Sequence, residues 1–320
     1  MQNKKIALSY FYLILSGIFY GGIVFGNKVL LKLGISLADL LIFPNTIVGL
    51  CLLPFVWHDL KEMATFPKKT MCAFACGCVL MQAGQILPLT MGLSISFIEL
   101  LVYTQPIWTI LFTKFVLKKK ICPYDIWVVV FILVGLVILV NPFDDLDFSI
   151  PALVFGIGAG VGIASYVMFN SYFEHKDVKP LVFIFCVNLF LSLPFLISSP
   201  IIKVALSNVP ANMEFVFNLS GKIWFIVAIY CLCCTLLPML LFFKGSKNVS
   251  SVHSGLMLLL EPIVAIILDV IFFHFDITWN VWIGGILIIG SNLFVIFAAA
   301  KATKNKRLLL AGRHAYGIHN

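Results

Sequence analysis

The sequence carries one stretch twice: residues 93–121 read LSISFIELLVYTQPIWTILFTKFVLKKKI, and residues 249–277 read VSSVHSGLMLLLEPIVAIILDVIFFHFDI. The two stretches align without a gap and superpose Gln105-Pro106-Ile107 on Glu261-Pro262-Ile263. Further pairs in the same order are Ser94 and Ser250, Leu100 and Leu256, Trp127 and Trp282, Gly135 and Gly290, and Leu53-Pro54-Phe55 and Leu193-Pro194-Phe195. Their shared order indicates an internal repeat.

The composition indicates a chain that is largely surrounded by lipid rather than water. Of the 320 residues, 61% are hydrophobic and only 11% are charged, whereas a soluble domain carries about 25% charged residues. A single chain of this size cannot hide so much apolar surface from water. We therefore predict an all-α integral membrane protein.

Ten apolar segments are long enough to cross a bilayer as helices, since about 20 residues span its ~30 Å core. They cover residues 6–26, 37–57, 70–90, 94–117, 124–141, 150–172, 180–202, 223–243, 250–273 and 279–300. We predict a first repeat at residues 1–148, a second at residues 149–300, and a basic cytoplasmic tail at residues 301–320. Because each repeat holds five helices, an odd number, the second is inverted in the membrane. Two such halves can pack against each other in two related ways, each of which opens the protein to one side of the membrane.

The basic residues collect on one side of this predicted topology. With the N-terminus inside, only Lys28, Lys32, Lys203 and Lys222 of the 22 lysines and arginines fall outside. The outside loop Asp144-Asp145-Leu146-Asp147 is acidic. The positive-inside rule therefore places both termini in the cytoplasm.

Nucleic-acid, metal and dinucleotide sites fit the sequence poorly. The formal charge of +8 lies in short lysine clusters between apolar runs, without a basic stripe of interleaved aromatic residues. Cys231-Leu232-Cys233-Cys234 has no histidine near it, because His253 falls in the next predicted helix. Residues 156–162 read GIGAGVG but lack a preceding strand and an acidic ribose ligand. We expect no cofactor, metal or nucleic-acid partner, and we interpret the glycine run as close helix packing.

The five-plus-five layout, with Gln105-Pro106 and Glu261-Pro262 in the fourth and ninth helices, resembles the drug/metabolite transporter superfamily, specifically its EamA-type ten-helix transporters. The glycine-containing fifth helices (GLVILV and GGILIIG) and Phe19-Tyr20-Gly21-Gly22 add to the likeness. The family usually has tryptophan where this chain has Tyr20, and it often has an arginine where this chain reads Phe43-Pro44-Asn45. The resemblance implies a carrier of small metabolites in a bacterial inner membrane rather than an enzyme.

Glu99 is the first candidate for substrate binding. A charged side chain at the bilayer centre costs about 2.5–3.5 kcal/mol on insertion scales, so a mid-helix glutamate needs an account. Ser96, Glu99, Tyr103 and Pro106 share one helix face by their spacing. Since the repeat places Gly255 at the equivalent position, the symmetry of the fold does not require the carboxylate. The alternative is a carboxylate near a helix end that reaches interfacial water.

Uncharged polar groups in other predicted helices are candidates for lining a cavity. Amides and phenols can hydrogen-bond a zwitterion without the cost of a buried charge. These candidates are Tyr20, Gln82, Gln85, Tyr166 and Asn170, with Trp108 as a stacking surface. The alternative for each is a contact between helices.

Gln105-Pro106 and Glu261-Pro262 are predicted hinges. Proline removes a backbone donor and frees a carbonyl one turn earlier, and a polar neighbour can help to satisfy it. Because Gln105 stands where the second repeat has Glu261, a charge is not obligatory, and we interpret both pairs as structural. We interpret His253, near the start of its helix, as an interfacial residue.

These features favour a secondary active transporter that works by alternating access. A channel or scaffold is one alternative and an intramembrane enzyme another, although no Walker A, HExxH or paired-aspartate motif occurs in the sequence. The candidate cavity holds aromatic, amide and acid groups, which disfavours strongly anionic substrates. We expect amino acids first, with S-adenosylmethionine as the cationic alternative. The sequence leaves open whether the carrier is a monomer or a homodimer.

Overall fold

A computed structural model describes residues 2–91, 93, 95–140, 150–205, 219–273 and 278–315, and every regular element in these ranges is a helix. The helices are α1 (Gln2–Lys32), α2 (Leu37–Val56), α3 (Lys61–Ala64), α4 (Lys68–Thr90), α5 (Ile95–Val102), α6 (Gln105–Phe115), α7 (Pro123–Val140), α8 (Ile150–Glu174), α9 (Pro180–Ala205), α10 (Gly221–Tyr230), a π-helix (Cys231–Leu236), α11 (Leu237–Gly245), a 3-10 turn (Ser246–Asn248), α12 (Ser251–Leu258), α13 (Glu261–Phe273) and α14 (Trp279–Ala315). The acidic loop predicted at residues 144–147 lies outside the described residues.

Seven helical stretches in the described ranges are long and apolar enough to cross a membrane. They are Lys4–Lys32, Lys68–Pro88, Ile150–Glu174, Pro180–Ile197, Gly221–Asn248, Ser251–Phe273 and Trp279–Ala298. Two shorter apolar stretches, Ile42–Val56 and Pro123–Leu139, match the second and fifth predicted segments. The predicted segment 94–117 is divided into α5 and α6, so length and composition alone do not reach the predicted ten.

Large apolar side chains cover the outside of the helices. Phe55, Phe225 and Phe297 are 74%, 68% and 69% exposed, whereas Phe74 and Phe183 are fully buried. Exposed phenylalanines on several different helices would be unfavourable in water but are solvated well by lipid. The surface is therefore that of a multi-pass membrane protein.

The two predicted halves pack on each other reciprocally. α1, the first helix of the first half, runs along α11 and along α12 and α13, which are the third and fourth helices of the second half. α8 in turn runs along α4 and along α5 and α6, the matching helices of the first half. α2 packs on α9 and α7 packs on α14. These contacts between the halves are related in pairs, as a two-fold pseudo-axis requires.

Close approaches at glycines show that α4 and α8 run antiparallel. A Cβ atom on Gly77 would lie 2.7 Å from Cβ of Ser165, and a Cβ atom on Gly84 would lie 2.4 Å from the backbone nitrogen of Ala159. As the residue number rises along α4, the number of the residue that it contacts in α8 falls. This direction is the one that ten alternating helices in two five-helix halves would produce.

Glycines of α1 and α8 occupy equivalent places in the two halves. A Cβ atom on Gly17 of α1 would lie 2.8 Å from the carbonyl oxygen of Met257, and one on Gly160 of α8 would lie 3.0 Å from the carbonyl oxygen of Leu101. The repeat superposes Leu101 on Met257, so the two contacts are symmetry-related. The structure therefore extends the repeat to α1 and α8, which share too little sequence for the pairing to be recognised.

The glycine run at residues 156–162 holds α8 close to its neighbours on two sides. Gly156 contacts the α5 side chain of Leu101, while a Cβ atom on Gly162 would lie 2.3 Å from the backbone nitrogen of Met81 in α4. Any larger residue at position 162 would have to push two helix backbones apart. The prediction that this run serves close helix packing is confirmed.

Segments predicted to be cytoplasmic meet on one face of the protein. Nζ of Lys179 lies 2.6 Å from Oδ1 of Asp59, and Nζ of Lys247 lies 3.5 Å from Oε1 of Glu174. Lys5, near the start of α1, lines a cavity of about 440 Å³ together with Lys179 and Lys247. A shared basic face of this kind is what the predicted topology requires.

Candidate functional site

Two helices are interrupted at the polar–proline pairs. Residues 103–104 separate α5 from α6, and residues 259–260 separate α12 from α13. Each break stands directly before Gln105-Pro106 or Glu261-Pro262, where proline withholds a backbone N–H from the helix. The breaks lie at matching positions of the two halves, next to Gln105 and Glu261.

Glu99 and Glu261, one from each half, form a carboxyl pair beside these breaks. The two carboxyl groups lie close enough to interact electrostatically. Tyr103, one turn after Glu99, hydrogen-bonds its carboxyl group. Both glutamates keep partly accessible surface. The sequence suggested a structural role for Glu261, and the structure adds that it faces the first candidate for substrate binding.

Tyrosines from other helices lie near the carboxyl pair. The hydroxyl of Tyr20 in α1 lies 3.4 Å from the hydroxyl of Tyr166 in α8. Tyr20, Tyr103 and Tyr230 are all within electrostatic range of Glu261. A phenol donates to a carboxylate and also accepts from an ammonium group, so these hydroxyls can bind either end of a zwitterion. The structure thus brings together three of the predicted site residues, Tyr20, Tyr103 and Tyr166, with Glu99.

Tyr230 is the site residue that the sequence analysis missed. It ends α10 at the start of the π-helix, a distortion often found at functional sites. Its hydroxyl donates a 2.7 Å hydrogen bond to Oδ1 of Asn27, and its ring packs against Gly26. In the sequence Tyr230 is an isolated aromatic residue beside cysteines, which is not a functional signal.

The remaining predicted residues have less direct connections to the carboxyl pair. Asn170 is fully buried and donates a 2.6 Å hydrogen bond to Oγ of Ser246, so it joins α8 to the turn before α12. Nε1 of Trp108 lies 3.3 Å from Oγ1 of Thr104 at the first break. The predicted substrate roles of these two residues stay predictions.

Gln82 and Gln85 lie in α4, the helix that packs along the glycine run of α8. Gln82 is buried and Gln85 is partly buried. They belong to a different helix from either glutamate of the carboxyl pair. Their predicted contribution to substrate binding also stays a prediction.

The symmetry counterpart of the carboxyl pair is an amide–glycine pair, Gln105 and Gly255. Gln105 is buried, and its Nε2 donates a 2.6 Å hydrogen bond to Oγ1 of Thr109. A Cβ atom on Gly255 would lie 2.4 Å from this Nε2. The repeat superposes Gln105 on Glu261 and Gly255 on Glu99. At the first pair the side chain of Gln105 packs against the glycine, whereas the second pair carries two carboxyl groups.

The helices at these two positions pack differently. α6 and α12, which carry Gln105 and Gly255, are in close contact. Their counterparts α13 and α5, which carry Glu261 and Glu99, make no comparable contact within the described ranges. At this one place the two halves are therefore related by symmetry in sequence but not in packing. The protein is closed on the side of α6 and α12.

A buried hydrogen-bonded network reinforces the closed side. The hydroxyl of Tyr10 lies 2.8 Å from Nδ1 of His253, and Nε2 of His253 lies 3.1 Å from Oδ1 of Asp125. These three buried side chains join α1, α12 and α7. The symmetry-related positions on the other side hold Phe97 and Asn280, which cannot form a histidine–carboxylate bond. His253 is thus a buried link between the halves, and its predicted place at the membrane interface stays a prediction.

An ion pair lies near the opposite end of α1. Lys28 of α1 pairs with Asp269 of α13, and both line a cavity of about 350 Å³ with Lys32 and Phe273. Tyr10, Tyr20 and Lys28 are thereby spread along one helix, with about 15 Å of rise from Tyr10 to Tyr20. Tyr20, which is within electrostatic range of Glu261, lies between the two ends.

Comparisons with known proteins identify relatives of both the sequence and the fold. The sequence profile described as the EamA-like transporter family matches residues 7–141 and again residues 150–297. A solved structure titled only as the crystal structure of a protein superposes with a TM-score of 0.70 over 94% of this chain and 98% of that chain, at 16% identity. That likeness supports the fold alone. A search of curated proteins finds no match.

Proposed function

The chain belongs to the EamA-like transporter family, and we propose that it is a secondary active transporter of small metabolites that carry an amino group. Members of this family are membrane transporters rather than enzymes. Amino acids are the substrates we expect first, and S-adenosylmethionine is the cationic alternative. The observation that carries this proposal is the carboxyl pair of Glu99 and Glu261 with its surrounding tyrosines.

The chemistry of the carboxyl pair suits an ammonium group. Glu99 and Glu261 are acceptors when ionised, and the groups that face them are the phenols of Tyr20, Tyr103 and Tyr230. Hydrogen bonds between ionised partners are about twice as strong as neutral ones. Donors for the carboxylate of an amino acid are then available from the hydroxyls of Tyr20 and Tyr166. A strongly anionic substrate would instead meet two acids.

The unequal packing of the two halves supports an alternating-access mechanism. The contact between α6 and α12 closes one side of the carboxyl pair, while α5 and α13 stay apart on the other. If the halves exchange conformations, α5 and α13 close and α6 and α12 separate. The bond between His253 and Asp125 then breaks, since it joins α12 and α7 on the closed side.

We place this transporter in a bacterial inner membrane as ten spans, with repeats at residues 1–148 and 149–300 and both termini in the cytoplasm. The basic face shared by Lys5, Lys179 and Lys247 supports this orientation. Under it, the closed side faces the cytoplasm and the carboxyl pair is open to the opposite side.

The test is counterflow in proteoliposomes. Purified protein is reconstituted with an unlabelled amino-acid mixture inside and labelled amino acids, S-adenosylmethionine or phosphorylated sugars outside. We expect trans-stimulated accumulation of an amine-bearing compound, and its loss in Glu99→Gln with normal expression. Glu62→Gln, which changes a carboxylate on the basic face, is the matched control and should transport normally. Accumulation of phosphorylated sugars without any amine, or normal transport by Glu99→Gln, would overturn the proposal.

A further inference from the structure

A basic cavity lies where four of the long apolar stretches begin or end. Its volume is about 440 Å³, within the range of small-ligand sites. The lining includes Lys5 near the start of one stretch and Glu174 at the end of another. It also includes Pro180 at the start of a third and Asn248 at the end of a fourth. Because apolar stretches begin and end at the polar boundary of the bilayer, the cavity lies at the level of the lipid headgroups.

Basic side chains outnumber acidic ones in the lining of this cavity. Among the described residues, its four basic and two acidic side chains are Lys5, Lys179, Lys244, Lys247, Glu174 and Asp177. Both acids lie within 4.0 Å of Nζ of Lys247, so they share one cation. Lys5 and Lys244 have no acid within ion-pair distance in the part of the chain that the structure describes. Their ammonium groups are therefore available to an anion.

The cavity also has uncharged donors and an apolar exit. Tyr12 contributes a phenol, and Asn248 contributes an amide whose Nδ2 donates a 3.1 Å hydrogen bond to Oγ of Ser9. Phenol and amide groups can donate to phosphate oxygens. Leu8 in the lining is 48% exposed, and Phe11, on the same face of α1, is 54% exposed. An acyl chain that leaves the cavity along α1 would thus contact apolar side chains, whereas a free phosphate would not use them.

The two-fold repeat does not require lysines at these places. Continued backward from residue 93 without a gap, the repeat alignment places Pro88 opposite Lys244 and Met91 opposite Lys247. Proline and methionine carry no charge, so the basic lining is not a consequence of the shared helix packing. It is a property of one face of the protein.

We propose that this cavity binds the headgroup of an anionic phospholipid, with the phosphodiester between Lys5 and Lys244 and an acyl chain along Leu8 and Phe11. Basic pockets between membrane helices bind anionic headgroups, since the charges attract at a site partly shielded from water. Lys5 belongs to α1 of the first half and Lys244 to α11 of the second half. A bound lipid therefore links the two halves. This site goes beyond the proposed function and does not depend on the transported substrate.

The test measures lipid binding to the purified full-length protein without any substrate. The protein is titrated in detergent with phosphatidylglycerol or with phosphatidylcholine of the same acyl chains, and native mass spectrometry gives the Kd of each. We expect phosphatidylglycerol to bind more tightly. Lys5→Gln with Lys244→Gln should raise its Kd by about 30-fold, because each lysine near an anionic lipid contributes about fivefold in affinity. Lys5→Arg with Lys244→Arg keeps both charges and should keep the binding.

Lys119→Gln with Lys120→Gln is the matched control. It removes two exposed lysines from the connection between α6 and α7, outside the cavity, and should bind phosphatidylglycerol like the wild type. An equal loss of affinity in this control overturns the site, as does loss of binding in the arginine variant. Equal affinity of the wild type for the two lipids overturns it as well. Inorganic phosphate that displaces the lipid at a similar concentration would assign the cavity to free phosphate and overturn the lipid proposal.

Discussion

The amide–glycine pair and the carboxyl pair occupy the same place in the two halves, yet one is a packing contact and the other a chemical site. Gln105 is buried against Gly255, and its amide nitrogen donates to Thr109, so this donor is satisfied inside its own half. Glu261 instead faces Glu99 among tyrosines from other helices. The repeat accounts for where the residues lie, and the departures from the repeat account for what they do.

The largest effect is expected from moving the charge between these two positions. Glu261→Gln should lower the apparent affinity for the transported amine by about 10–100-fold, because it removes a charge-assisted interaction worth about 1.5–3 kcal/mol. The double variant Glu261→Gln with Gln105→Glu, which restores the number of carboxyl groups, should not recover transport. Concentration-dependent uptake in proteoliposomes measures both. Recovery in the double variant would mean that the two positions are interchangeable.

The next effect concerns the link on the closed side. Asp125→Asn should weaken its bond to His253 and shift the population toward the opposite packing by about tenfold, since a hydrogen bond to a charged group contributes about 1.5–3 kcal/mol. Spin labels at Met91→Cys, next to α5, and at Ile271→Cys, on an exposed position of α13, should report a shorter distance between these helices. Asp59→Asn, which changes an acid that pairs with Lys179 on the basic face, should leave the distances unchanged. Equal shifts in both variants would show that His253 and Asp125 do not set the closed side.

A smaller and purely structural effect is expected at two glycines, one in α1 and one in α8. Gly17→Ala should destabilise the protein by about 1–3 kcal/mol, because the new methyl group meets the rigid carbonyl of Met257. Gly156→Ala should cost less, because it meets the movable end of Leu101. Thermal unfolding in one detergent ranks the two variants. The reverse order would contradict the assigned contacts.

The smallest effect is expected at Gly255. Gly255→Ala forces the end of the Gln105 side chain to move, which should cost about 1 kcal/mol. Adding Gln105→Ala should recover much of that loss, since the clash is removed. A double-variant cycle of unfolding measurements separates this coupling from the loss of the bond to Thr109. Additive effects would show that the two residues do not touch.

Much of the fold and part of the site could be predicted from the sequence. The helix breaks before Pro106 and Pro262 follow from a missing backbone donor, which is a local property of proline. Glu99 could be singled out as a candidate because the repeat places glycine at the equivalent position, so the symmetry of the fold does not require a mid-helix carboxylate. Tyr230, Asp125 and the link through His253 were not recognisable, since their partners lie in helices far away in the sequence.

The sequence by itself determined that the protein is surrounded by lipid, that it is helical, that it contains a repeat, and to which family it belongs. Composition, segment length and residue order, from which these conclusions follow, are properties of the chain. Only the tertiary structure decided that Glu261 faces Glu99 and that one side is closed. Helices such as α1 and α4 are apolar around most of their circumference, so their sequences do not specify which face turns inward. That choice depends on close contacts at Gly17, Gly84 and Gly162, which exist only after the helices pack.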